Sequence, residues 1–214
     1  MVYSIHGASI VTLDANSTSR FARAVERFDK ANSEDPTRER VAGSDRPKAL
    51  VYAERMSARL RQFAPEAPEV VQLAARSQHI RRWTVERGTY PEGRDGYRRW
   101  RTDLARFHAD TAGAILQEVG YDAATIGRVQ ALLRKEQLKT DPDVQLLEDV
   151  ACLVFLEHYL DDFSRQHARE KVLDVIRKTW TKMSARGRKA APTVNLTPPV
   201  RALLSEAIDA LPPF

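Results

Sequence analysis

Residues 142–156, PDVQLLEDVACLVFL, decide the fold. Proline suits the first turn of an α-helix, because the backbone N–H that it lacks would have no helical partner there. From Val150 to Leu156 every side chain is apolar, which is typical of a helix that is buried on all sides. We therefore predict a central buried helix against which the rest of the chain packs.

Helical periodicity extends outward from this segment in both directions. Apolar side chains recur at helical spacing in seven further segments, which begin near Phe21, Pro47, Pro68, Tyr97, Asp122, Val172 and Thr197. Residues 17–19 and Asp122 can cap helix N-termini, and Gly120 suits a C-terminal stop. Only residues 5–13 could be extended, because other β-branched runs are absent. The predicted fold class is all-α, a compact bundle of about seven or eight helices in a single domain.

The chain divides into three predicted parts. Residues 1–17 are an N-terminal lead-in, residues 18–185 are the helical domain, and residues 186–214 are a basic linker with a short C-terminal helix. The linker is predicted from Arg186 to Lys189, where a glycine interrupts a run of cations. A length of 214 residues fits one domain with one sizeable core.

Composition limits the classes to which the protein can belong. Hydrophobic residues make up 43% and charged residues 29%, which favours a folded globular protein over a disordered one. The single cysteine, Cys152, excludes an internal disulfide, and its apolar neighbours predict a buried thiol without a catalytic role. No apolar run is long enough to span a bilayer, and residues 1–13 lack a signal-peptide pattern. We therefore expect a cytoplasmic protein with no membrane partner.

The net charge of +5 and the isoelectric point of about 9.5 favour anionic partners, such as a phosphorylated small molecule, a nucleotide or RNA. Positive charge is concentrated between Arg81 and Arg101. This stretch contains seven arginines and only three acids, and aromatic residues are interleaved with them. Arginine beside aromatic side chains can bind phosphate and stack on bases. The alternative is a loop whose aromatic side chains pack inward and whose arginines pair with acids.

Several polar side chains fall on otherwise apolar rows of the predicted helices. They are His79, His108, Glu136, Glu148 and Asp149. Burying a carboxylate without a partner costs several kcal/mol, so an inward-facing set needs a common explanation. Three explanations are open: a divalent transition metal such as Fe, Mn, Zn or Co, a phosphate-bearing ligand without metal, or a hydrogen-bonded core network.

Five stretches of the sequence resemble the domain of unknown function 4202 family. They are residues 52–56 (YAERM), 74–83 (AARSQHIRRW), 97–101 (YRRWR), 147–156 (LEDVACLVFL) and 178–183 (KTWTKM). The resemblance covers roughly residues 20–184, which is most of the chain. The family name implies no activity.

The sequence is also similar, more distantly, to the HD-domain superfamily of metal-dependent phosphohydrolases. Residues 74–80 resemble the Ala-Ala-x-x-His-Asp-Ile run of that superfamily, with Gln78 on its histidine and His79 on its aspartate. Residues 107–116, FHADTAGAIL, look like the helix that follows, and Asp149 matches the last aspartate. This resemblance implies an HD-like helical bundle. The metal ligands that the comparison suggests are His79, His108 and Asp149.

These observations give three hypotheses for function. The first is a metal-dependent hydrolase of a phosphorylated small molecule or nucleotide, in which the metal activates a water and Glu148 or Glu136 is the general base. The predicted substrate-binding residues are Arg81, Arg82, Trp83, Arg98, Arg99 and Lys135. The second is a non-catalytic nucleotide- or RNA-binding helical module with a degenerate HD site. The third is a scaffold with a polar core network.

Overall fold

A computed structural model describes residues 19–211, and most of this part of the chain is helical. The α-helices are α1 (Arg20–Ser33), α2 (Lys48–Phe63), α3 (Glu69–Ser77), α4 (Gly93–Val119), α5 (Ala123–Arg134), α6 (Pro142–His158), α7 (Leu160–Gln166), α8 (Arg169–Lys182), α9 (Ala185–Ala190) and α10 (Pro198–Asp209). The strands are β1 (Arg38–Val41) and β2 (Ser44–Pro47). Short 3-10 turns cover Arg82–Thr84, Arg87–Thr89 and Ala191–Thr193. The predicted helical fold class is confirmed.

The ends of several helices lie where their capping residues predicted. The Ser19 hydroxyl accepts a hydrogen bond from the Ala22 N–H at 3.1 Å, and an Asp122 carboxylate oxygen accepts one from the Thr125 N–H at 2.8 Å. Each bond satisfies an N–H that has no partner within its helix. Gly120 ends α4 with φ 90°, a left-handed conformation that glycine adopts without steric cost.

Helix α6 is the centre of the molecule, as the apolar run predicted. Leu147, Val150 and Val154 belong to a core cluster built mainly from α1 to α6. Leu153 and Leu156 belong to a second cluster, which includes side chains of α7, α8 and α10. Because α6 supplies both clusters, it is buried on more than one face. The same helix therefore anchors the C-terminal helices to the rest of the bundle.

The hairpin between α1 and α2 was not predicted. Strands β1 and β2 pair in antiparallel register, and they are joined by Ala42 and Gly43, both of which have positive φ. Such a two-residue turn matches the twist of a hairpin. Its strands are short, polar and largely exposed, so they lack the apolar alternation that identifies a strand. An ion pair between Arg46 and Glu54, 2.8 Å long, attaches the hairpin to α2.

Helix α3 ends at Ser77, and the chain then turns tightly before α4. One further prediction needs correction. The basic segment from Arg186 to Lys189 is not a linker, because it lies within helix α9. Ser184 begins that helix by accepting a hydrogen bond from the Gly187 N–H at 3.1 Å. The possible strand at residues 5–13 lies outside the described residues.

The C-terminal segment is integrated into the bundle. Leu203 and Leu204 of α10 are buried in the second core cluster, in which α8 supplies Val172 and Ile176. Across residues 19–211, no helix has the length and apolar character that crossing a bilayer requires.

Candidate functional site

A cavity of about 640 Å³ opens where α2, α4, α6 and α8 meet the turn between α3 and α4. Cations outnumber acids in its lining. The cations are Lys48, Arg82, Arg87, Arg101, Lys135 and Lys182, and the acids are Asp35, Glu86 and Glu148. The aromatic lining residues are Tyr52, His79, Trp83, Tyr97, Trp100, Phe155 and Tyr159. The cavity is therefore both basic and rich in flat side chains.

The left-handed backbone conformation of Arg81 precedes the arginine that lines the cavity, Arg82. Arg81 has φ 48°, and its backbone N–H donates to the Asn32 side-chain oxygen at 3.1 Å. Its guanidinium pairs with Glu34 at 2.6 Å, away from the cavity. The next residue, Arg82, lines the cavity and lies over the Trp100 ring, 4.7 Å from the ring centroid. Left-handed conformations of residues other than glycine are often found at functional sites.

The Arg82 guanidinium is half-buried and has no acidic partner within residues 19–211. Its pKa is lowered, first by burial and then by the positive charge of Arg101. Arg101 lines the same cavity and likewise has no carboxylate bound to it in the described chain. Two guanidinium groups that repel each other at the edge of the protein interior form a site with affinity for an anion.

Glu148 and Lys135 form an ion pair at the cavity wall. Glu148 is only 5% exposed, and burial alone would raise its pKa. Lys135, with more distant help from Lys182 and Arg101, holds the pKa of Glu148 below its ordinary value. Glu148 is therefore ionised and paired with Lys135, so it is poorly suited to the predicted role of general base.

The two histidines predicted to share a pocket do lie together. The ring centroids of His79 and His108 are 5.7 Å apart. The Tyr52 ring stacks on His79, with 4.1 Å between the centroids. Burial lowers the pKa of His79 well below its usual value, and Arg82 and His108 lower it further. Burial likewise lowers the pKa of His108 to about 3. Both imidazoles are therefore neutral at pH 7.

One ring nitrogen of His108 has a hydrogen-bond partner, and the other has none among the described residues. Its Nδ1 lies 2.8 Å from the Ile80 carbonyl oxygen, so this nitrogen carries the proton and donates it. The Nε2 atom is then an acceptor, and it is buried without a hydrogen-bond partner among the described residues. Buried polar atoms without a partner are uncommon, and this one belongs to the ring that neighbours His79.

Asp149, the third predicted metal ligand, is engaged elsewhere. One of its carboxylate oxygens accepts hydrogen bonds from the Ser184 N–H at 2.8 Å and the Gln145 side chain at 3.0 Å. Its other oxygen accepts from the Ser184 hydroxyl. Gly187 approaches so closely that a Cβ there would lie 2.7 Å from the Asp149 Cγ. Asp149 therefore supports the start of α9.

The donor set that was predicted for a metal is consequently incomplete. His79 and His108 are neighbours, but the Asp149 carboxylate is occupied by Ser184, and Glu148 is occupied by Lys135. Across residues 19–211 there is no group of three or more His, Cys, Asp or Glu side chains placed to hold a metal ion. The side chains present do not fit a divalent transition metal.

The remaining predicted site residues divide between the cavity and the surface. Trp83 and Lys135 line the cavity with Arg82. Glu136, predicted as a possible base, is exposed and pairs with Arg134 at 2.7 Å. Arg98 and Arg99 are exposed on α4 and do not line the cavity.

The predicted site residues omitted four cations of the lining, Lys48, Arg87, Arg101 and Lys182. Lys182 carried a usable signal, because it lies three residues after Thr179 and seven after Val175, on one face of α8. All three of these α8 residues line the cavity. Arg101 belonged to the arginine-rich stretch, in which nothing local distinguished it from Arg98 or Arg99.

The family comparison agrees with the resemblance found in the sequence. A family model described as "Domain of unknown function (DUF4202)" matches residues 22–204, which is most of the chain. No curated protein and no solved structure matches the chain.

Proposed function

The chain belongs to the DUF4202 family, and we propose that its central cavity binds a phosphorylated small molecule or nucleotide. One observation carries this proposal: Arg82 and Arg101 line one cavity without an acid bound to either of them in the described chain. Arg82 is half-buried and Arg101 is exposed, and their like charges repel each other. An anion between the two guanidinium groups would remove that repulsion.

Two of the three acids of the cavity are bound to groups other than Arg82 and Arg101, so neither guanidinium is paired with them. Asp35 accepts hydrogen bonds from the backbone N–H groups of Thr37 and Ala49, at 2.8 and 2.9 Å. Glu148 is paired with Lys135. A phosphate group has three oxygens that can accept from the planar forks of the arginines, and so it fits this site better than a cation would.

Hydrolysis of the bound phosphate ester is a second candidate function. It is supported by the position of His79, a neutral imidazole in the same cavity as Arg82. A bound dianion would raise the pKa of His79 and allow it to exchange a proton with the ligand or with an attacking water. No metal takes part in this candidate reaction, because the expected donors do not fit one.

The HD-like arrangement of the helices stays a prediction of the distant resemblance. It is compatible with the meeting of His79 and His108, which lie on the two stretches that resemble HD motifs. We therefore keep the hydrolase as a candidate and place binding of the phosphorylated ligand first.

The proposal is tested by titrating the full-length protein with inorganic pyrophosphate and with AMP in a calorimeter. We expect Arg82→Gln and Arg101→Gln each to weaken binding at least tenfold, because each removes a charged donor from the anion. Arg98→Gln is the matched control: it removes an exposed arginine of the same helix that does not line the cavity, and it should change affinity less than twofold. Equal losses for Arg98→Gln and Arg101→Gln would contradict the proposal and favour binding of RNA along the surface of α4.

A further inference from the structure

Tyr97 is an unusual member of the cavity lining. It is 48% exposed, and no other large hydrophobic side chain within residues 19–211 is classed as exposed. It lies one helical turn before Arg101 on α4, and both side chains line the cavity. Its ring is therefore placed at the rim of the basic cavity, where it is open to solvent.

The Tyr97 ring packs against a side chain whose position is fixed. Its centroid lies 5.7 Å from that of Trp100, with an angle of 47° between the rings. Trp100 is held by a 3.0 Å hydrogen bond from its indole N–H to the Val85 carbonyl oxygen, and it carries the Arg82 guanidinium on its face. The ring of Tyr97 thus has a defined position relative to the phosphate-binding charge of Arg82.

The cavity is too large and too apolar for a phosphate group alone. Its volume of about 640 Å³ is within the range of sites that hold whole small molecules, roughly 300–1,000 Å³. Val85, Phe155 and Val175 contribute apolar surface to the same lining as the cations. A ligand that fills this site therefore has a substantial part that is flat or apolar in addition to its anionic group.

We propose that the ligand is a mononucleotide whose base stacks on Tyr97 while its phosphate binds between Arg82 and Arg101. This inference rests on the proposed function and adds the class of ligand and the residue that selects it. Every base has a π-face, so a tyrosine at the rim accepts bases with little preference among them. Tyr97 is then a specificity-determining residue that separates nucleotides from other phosphate esters.

The test compares two ligands that carry the same phosphate monoester, AMP and ribose 5-phosphate, by calorimetric titration of the full-length protein. The wild type should bind AMP about tenfold more tightly than ribose 5-phosphate. Tyr97→Ala should remove that difference by weakening AMP binding alone. Tyr97→Trp, which keeps an aromatic surface at a half-exposed position, should retain it.

The possible results separate the base-stacking role of Tyr97 from the phosphate site of Arg82 and Arg101. If the wild type binds both ligands equally and Arg82→Gln still weakens both, the phosphate site stands and the base-stacking role of Tyr97 is wrong. If neither ligand binds but pyrophosphate does, the anion site stands and the mononucleotide inference is wrong; if pyrophosphate does not bind either, both proposals are wrong. If a short RNA oligonucleotide binds far more tightly than AMP, and Arg98→Gln weakens that binding, the ligand is a polymer and the mononucleotide inference is overturned.

Discussion

The imidazole rings of His79 and His108 lie 5.7 Å apart at an angle of 36°, although 28 residues separate them in the chain. His108 is held by the carbonyl of Ile80, the residue that follows His79. The pair is therefore fixed by the turn that ends α3 as well as by the packing of α4. Both imidazoles are kept neutral by burial and by the nearby positive charge of Arg82.

The neutral state of His108 predicts acid sensitivity. Its pKa is about 3 in the folded protein and about 6.5 in the unfolded chain, so the unfolded state binds more protons between these values. Stability is then fully present above pH 6.5 and falls as the pH decreases. We expect His108 to account for a loss of about 1.5 kcal/mol in the free energy of unfolding between pH 6.5 and 5.

Urea unfolding at these two pH values measures that loss. His108→Gln can still donate to the Ile80 carbonyl but does not titrate, so its stability should depend less on pH than that of the wild type. An unchanged pH dependence in the variant would show that His108 is not the group responsible.

Asp149→Ala should lower stability without affecting the ligand. The substitution leaves the N–H and hydroxyl of Ser184 without their acceptor at the start of α9, and we expect a loss of about 2–3 kcal/mol in the free energy of unfolding. Phosphate affinity should remain within twofold of the wild type at a temperature where the variant is folded. Glu136→Ala, at an exposed acid, is the control and should change stability by less than about 0.5 kcal/mol. Complete loss of ligand binding in Asp149→Ala would instead support its predicted role in the site.

Glu148→Gln should lower the stability of the protein but raise its affinity for an anion. It removes the partner of Lys135 and should cost about 2 kcal/mol of stability, because a partly buried cation is left unpaired. The same change releases Lys135 toward the cavity, so the affinity for pyrophosphate should rise severalfold. A calorimetric titration measures this affinity. Weaker binding in Glu148→Gln would mean that the carboxylate contributes to the ligand site directly.

Gly96→Ala should disturb the rim of the cavity. A Cβ at this position would lie 1.8 Å from the Pro91 carbonyl oxygen, so α4 and the preceding loop would have to separate. We expect clear destabilisation and weaker AMP binding, because Tyr97 and Arg101 follow on the same helix. Gly88→Ala is the control, since a Cβ there meets no atom within 4 Å. If thermal unfolding and AMP titrations give the same values for both variants, the close contact of Gly96 with Pro91 is unimportant.

The parts of the fold that the sequence predicted are those governed by local signals. Ser19, Gly120 and Asp122 mark helix ends through contacts with residues only a few positions away. The run from Val150 to Leu156 likewise identifies a buried helix without reference to the rest of the chain. The hairpin at Arg38–Pro47 was missed because its strands lack apolar alternation, and the ion pairs that join it to α2 are contacts between separate segments.

The candidate site was harder to predict for the same reason. Apolar spacing along the sequence predicted that His79 and His108 would meet, although His79 lies in the turn after α3 and not on a helix. The partner of an acid cannot be found in this way: Asp149 faces inward as predicted, but the groups that meet it come from Ser184 in a later segment. Similarly, Arg101 and Arg98 share one stretch of sequence, and only the direction of α4 decides which of them lines the cavity.

The most direct test of the central claim is a crystal structure of the protein soaked with tungstate, a heavy-atom mimic of phosphate that anomalous scattering locates. We predict tungstate within hydrogen-bond distance of both the Arg82 and Arg101 guanidinium groups, and its loss from that position in crystals of Arg82→Gln. Tungstate bound only at Arg98 or Arg99, with the position between Arg82 and Arg101 free of it, would contradict the account.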